Sequence, residues 1–154
     1  MAAAGKWKLY ESAKEYIGDG TIDLDDNTMK VALFLSTSNV NTLSIATLSA
    51  ATNQVATAFG YTAGGVTVAA TWVRSGGTTT FDCADAVWTA AGGSITARFG
   101  VLYRSGTVNA VVDALVAVCL LDTAPADVTA TDGNTLTIAM NASGLFTLSG
   151  ATVD

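Results

Sequence analysis

The stretch from Trp72 to Tyr103, WVRSGGTTTFDCADAVWTAAGGSITARFGVLY, leaves this chain few folds to choose from. β-branched and aromatic residues gather on either side of two pairs, Gly76-Gly77 and Gly92-Gly93. Glycine takes the positive φ that tight turns need, and the residues between the pairs suit half-buried strands. A third strand, Ile95 to Tyr103, follows, with Ile95, Ala97, Phe99, Val101 and Tyr103 expected on one face. Strand, turn, strand, turn, strand is the written form of an antiparallel β-domain. The segment holds no nucleophile–base pair, metal-ligand cluster or phosphate loop. A chain built around it is expected to work through its surface and its assembly.

The same signals extend on both sides. MKVALFLS, Met29 to Ser36, reads as a central buried strand because it is almost continuously apolar. Ser38 to Ala58 is polar with scattered apolar residues and predicts a long loop containing a short helix. Val66 to Val73 follows the Gly64-Gly65 turn, and Val108 to Leu121 supplies more strand. Asp132-Gly133-Asn134 predicts a hairpin turn between a strand at Val128 and another from Thr135 to Met140, because Asp-Gly favours positive φ. A last short strand ends near Ser149. About eight strands at spacings of roughly 10–15 residues predict an all-β fold, an antiparallel β-sandwich or jelly-roll-like domain, rather than βαβ units. The expected organisation is an N-terminal helix or arm over residues 1–18 and a single β-domain over residues 19–154.

The N-terminus has a different period. Leu9, Tyr10, Ala13, Tyr16 and Ile17 recur at spacings of three and four, which predicts an amphipathic helix from Lys6 to Ile17 with Gly18 at its C-cap. Such a helix either caps one end of the β-domain or is an arm that packs on a partner subunit. The second reading makes Trp7 an anchor.

Composition narrows the partners. Charged residues are 13% of the chain, hydrophobic residues 50%, and the net charge is −6. Seven Lys and Arg in 154 residues cannot make a phosphate-neutralising track, so nucleic acid is not an expected partner. The low charge suits either an ordinary strand-rich surface or one hidden against neighbours. The start, MAAAGKWKLYESAKEY, lacks the apolar centre of a secretory signal, and the most apolar run, Ala114 to Leu121, is far short of the ~20 residues that span a bilayer. Synthesis in a cytoplasm and no membrane insertion are expected.

Several residue groups invite chemistry. The chain has no histidine, which removes the commonest general base and most catalytic zinc sites. Asp82 and Asp85 are a nearby carboxylate pair of the kind that cleaves glycosidic bonds, or acids bonded to local backbone amides. Asp19, Asp23, Asp25 and Asp26 are oxygen ligands suited to a hard cation, or a solvated acidic turn; the EF-hand pattern is not met. Trp72 and Trp88 are core residues or a sugar-stacking platform. Cys83 and Cys119 are expected to be buried and reduced, although spacing alone leaves a disulfide open. No catalytic residue, cofactor or metal is assigned.

The combination KWKLYESAKEYIGDGTIDLD, MKVALFLSTSN, GYTAGG and WTAAGGSITARFGVLY resembles a family of tailed-bacteriophage virion structural proteins over nearly the whole chain, Trp7 to about Phe146. The resemblance implies a non-enzymatic particle component, a capsid decoration or cement protein seated on the major capsid protein at the virion surface. It also implies a homo-oligomer, with a trimer favoured. No family residue roles carry over; under the decoration reading Trp7, Tyr10 and Lys14 on the helix are the candidate interface residues. A tail-fibre module that binds host glycan through a Thr- and Trp-lined face is the main alternative.

Overall fold

The computed structural model describes residues 5–25 and 28–150. Its spine is a hairpin of two ten-residue strands, β8 (Phe99–Val108) and β9 (Val111–Leu120). Asn109 and Ala110 join them with φ of 44° and 66°, the two left-handed residues of a turn whose twist matches that of the strands. On the far side of β8 lies β2 (Met29–Phe34), in register from Met29 opposite Arg104 to Phe34 opposite Phe99. β3 (Val66–Thr67) pairs with β2, and β1 (Lys8–Leu9) pairs with β9. The order β1-β9-β8-β2-β3 is antiparallel throughout.

This sheet is buried on both faces, which explains why MKVALF is continuously apolar. Met29, Val31, Leu33 and Leu102 enter a larger core. Ala32, Phe34, Val101, Tyr103, Leu115 and Val118 enter a second, smaller one. The ladder slips at Leu102/Tyr103, where Leu102 faces Ala117 and Tyr103 faces Leu115, so Val116 has no opposite residue. The Val116 carbonyl accepts the Tyr10 N–H at 3.1 Å. The bulge thereby ties the N-terminal segment to the sheet.

That segment departs from the expected helix. Lys8 and Leu9 lie opposite Val118 and Ala117 as a strand, and α1 runs only from Glu11 to Gly18. The free edge of β9 offers backbone hydrogen bonds that compete with helix formation at residues 6–9. Only Ala13 of α1 is fully buried, while Tyr16 and Ile17 pack half-buried against the larger core. Residues 5–18 are thus built into the β-domain and its cover.

The second core is closed by the segment after β2. It is a loop with one 3-10 turn, Leu48–Ala50, and its Thr47 bridges to Ala114 of β9. Asn39 pins it: the carboxamide donates to the Ala50 carbonyl at 2.9 Å and accepts the Thr52 N–H at 2.8 Å. Leu43, Ile45 and Leu48 pack from this loop onto the core.

Opposite the other face stand smaller sheets. β4 (Ala70–Ser75), β5 (Thr78–Cys83) and β12 (Phe146–Ser149) form one, with β5 central. β6 (Ala86–Thr89) pairs with β11 (Thr135–Ile138), and β7 (Ile95–Ala97) pairs with β10 (Val128–Ala130). The single strand expected from Ile95 to Tyr103 is therefore two. At Arg98 the chain changes partners: its N–H donates to Phe34, its carbonyl accepts from Leu121, and its guanidinium meets Asp127 at 2.8 Å. Twelve strands in four antiparallel sheets make the described residues predominantly β.

Candidate functional site

The turn at Asp132-Gly133-Asn134 forms as its residues predict, with Gly133 at φ 78° and the Asn134 N–H donating to Thr131. The hairpin does not. The Gly133 N–H donates to the Ala90 carbonyl at 2.8 Å, and the Ala90 N–H donates to Asn134 at 2.8 Å. The Asp132 carboxylate accepts the Gly92 N–H at 2.7 Å. Locked to the turn between β6 and β7, the two strands leave in different directions, β10 to β7 and β11 to β6.

Beside these two strands lies a cleft of about 780 Å³, inside the range of small-molecule and peptide sites. Its buried lining is Leu121, Ala130, Leu136 and Ile138. One wall is Gly5 to Trp7, held where the Gly5 N–H donates to the Leu120 carbonyl at 2.8 Å. Exposed polar side chains complete it, among them Lys6, Thr135, Asn141 and Ser143. Asn141 accepts the Ser143 N–H at 2.8 Å through its side-chain oxygen. An indole, an ammonium, hydroxyls and a carboxamide are groups that hold a ligand; among the described residues the lining carries no carboxylate or thiol.

Of the three residues expected at an interface, Trp7 lines this cleft and also packs on the larger core. Lys14 is exposed on α1, away from the cleft lining. Tyr10 is 0% exposed, and its hydroxyl donates to the Val40 carbonyl at 2.7 Å. It belongs to the second core because it ends the extended segment at β1 and turns inward before α1 begins. The three do not share one outward face.

The acidic residues hold backbone. Asp82 accepts the N–H of Cys83, and Asp85 accepts that of Met140, both at 2.8 Å. Asp19 and Asp23 accept from Thr21 and Asp25 in local turns; Asp26 lies outside the described residues. Among the described residues no group of three or more acidic or thiol side chains is arranged to hold a metal. Trp88 is buried against Tyr61, with ring centroids 6.0 Å apart. Trp72 is half-buried in a cross-strand row with Phe81 and Phe146, at centroid distances of 6.4 and 6.0 Å. The two tryptophans do not form an exposed platform. Cys83 and Cys119 are free and buried, and desolvation pushes both thiols up to about 12. They are neutral at pH 7.

Sequence reasoning missed the cleft except for Trp7. The hydroxyl-bearing strand Thr135 to Ile138 was visible, but its free edge depends on pairing with β6 rather than with β10. Comparison of the chain with family models, with curated proteins and with solved structures gives no match.

Proposed function

We propose that this chain is a non-enzymatic structural protein of a tailed-bacteriophage virion, a decoration or cement protein that binds the major capsid protein and acts as a homo-oligomer, with a trimer favoured. The observation that carries the reading is the outer face of the β4-β5-β12 sheet. Strand alternation puts Trp72, Phe81 and Phe146 on one side and Thr71, Val73, Thr78, Thr80 and Thr147 on the other. The second side has Asp82 as its single charged residue, and Val73 on it is 59% exposed. Both outer strands of this sheet keep a free edge among the described residues. A hydroxyl-rich, nearly uncharged face suits contact with another protein.

The main sheet and the smaller sheets facing it across the larger core are read as a β-sandwich, with α1 and the loop after β2 as an added layer. On a particle such a domain would act by avidity: many weak contacts at fixed lattice sites oppose the separation of neighbouring capsomers. The test adds purified protein to undecorated capsids and measures occupancy and heat resistance. Saturation at a fixed number of copies per capsomer with a raised disruption temperature is expected. Absence of binding would end the decoration reading.

A further inference from the structure

The cleft beside β10 and β11 is bordered by unpaired strand edges. Among the described residues β10 pairs only with β7, and β11 only with β6. Among the described residues no backbone hydrogen bond reaches the other edge of either strand. The lining includes every residue from Thr135 to Ala139, from both faces of β11. A cavity over a sheet face would touch alternate residues. This one therefore runs along the backbone edge of β11, where N–H and C=O groups point into it.

An edge of this kind is recognised by another extended backbone. Four residues of β11 span about 13 Å at ~3.3 Å per residue, enough to pair with a strand of similar length. The apolar floor, Leu121, Leu136 and Ile138, suits the alternate side chains that such a strand turns inward. Among the described residues Lys6 is the one charged residue of the lining, in a chain whose net charge is −6. It selects a carboxylate on the incoming segment.

We propose that the cleft is a strand-acceptor groove, which takes an extended segment of a partner protein by pairing with the edge of β11, seats its alternate apolar side chains on the floor, and receives a carboxylate at Lys6. The inference goes beyond the capsid reading. Failure of peptide binding with capsid binding intact would remove the groove alone, and the reverse result would remove the capsid reading alone.

Main-chain recognition tolerates sequence, so a generic strand is a fair probe. The probe is an acetylated octapeptide of alternating threonine and valine that ends in aspartate amide, so that it carries one carboxylate. Two controls accompany it, one with asparagine amide in place of the aspartate and one N-methylated at alternate backbone nitrogens. Titration with the full chain, followed by hydrogen exchange, is expected to show saturable binding and new protection at Thr135 to Ile138. The neutral peptide should bind about two- to five-fold more weakly, as expected for one exposed ion pair, and Lys6→Ala should abolish that difference. The N-methylated peptide should not bind. Ala139→Trp, an exposed rim change that fills the cleft, should abolish binding without moving the melting temperature. Absence of binding at millimolar peptide would overturn the proposal. So would equal binding of the N-methylated peptide, protection at β4 or β12 instead of β11, or binding of a neutral oligosaccharide in the cleft while the peptides fail.

Discussion

Tyr10 donates its hydroxyl to the Val40 carbonyl from a position with no exposed surface. Removing that hydroxyl alone leaves a buried acceptor without its donor. Tyr10→Phe is expected to cost about 1–3 kcal/mol of stability, read from urea midpoints, and to leave any capsid binding unchanged once the protein is folded. The helical spacing that marked Tyr10 predicted a single apolar stripe, whereas Tyr10 and Ala13 enter the second core and Leu9, Tyr16 and Ile17 pack on the larger one. Nor did the spacing say whether a stripe faced this chain or another, since both bury the same residues. Burial of acidic protons also gives the molecule a pH limit. Cys83 and Cys119 lie near 12 in the folded chain against an ordinary 9.0, raised by desolvation and, for Cys83, by Asp82 as well. Tyr103 is likewise pushed up to about 12 by burial, then by Asp113 and Tyr61. The unfolded chain releases these protons first, so their contribution to stability is complete below pH 9 for the thiols and below pH 10 for Tyr103, and is lost as pH rises from there towards 12. Unfolding free energy should fall by up to about 1.4 kcal/mol per pH unit for each such group in that window. A urea series from pH 7 to 11 checks this, and a stability that stays flat above pH 9 would contradict it.

Elements were legible where one local pattern decided them. The run Met29–Phe34 reads as a buried strand because it is buried on both faces, and five of its six residues are indeed buried. The Asp132-Gly133 turn was equally clear, because its conformation is a property of its own residues. Its flanking strands were not, since their partners are set by Ala90 and Gly92, some forty residues away. The break at Arg98 was hidden for a related reason: the buried alternation Ile95, Ala97, Phe99 and Val101 continues straight through it. The turn at Asn109-Ala110 carried no signal, since the second residue is alanine where glycine is usual. Alanine at φ 66° is strained. Ala110→Gly should therefore stabilise the chain by about 0.5 kcal/mol, the relief of that strain less the entropy cost of glycine. A thermal melt measures it, and a lower melting temperature would show that the turn is not strained as described.

At the scale of the molecule, the all-β fold was legible from composition and glycine punctuation. The layering was not. The hydrophobic content of 50% suggested either a covered surface or an ordinary one; much of it fills two cores on opposite faces of one sheet. What remains outside is discrete: Val73, Phe59, Val112 and Leu148 are each at least half exposed. Val73 belongs to the face proposed to meet the capsid, and its substitution separates surface from scaffold. Val73→Lys should leave the melting temperature within about 1 °C, because exposed substitutions shift stability little. It should weaken capsid occupancy by about tenfold if the residue is an interface centre, equivalent to ~1.4 kcal/mol. Unchanged occupancy would move the interface elsewhere.

The lock between the two turns also sets an order in time. β6 with β11, and β7 with β10, join segments that lie more than thirty residues apart, whereas β8 meets β9 across two residues. Contacts of high sequence separation form only after the intervening chain has closed on itself, and they slow folding. In pulse-labelled hydrogen exchange, amides of β8 and β9 should gain protection before those of β6 and β11. A nascent chain would then pass through a stage in which β10 and β11 have no partners at all, when neighbouring chains compete most directly for them.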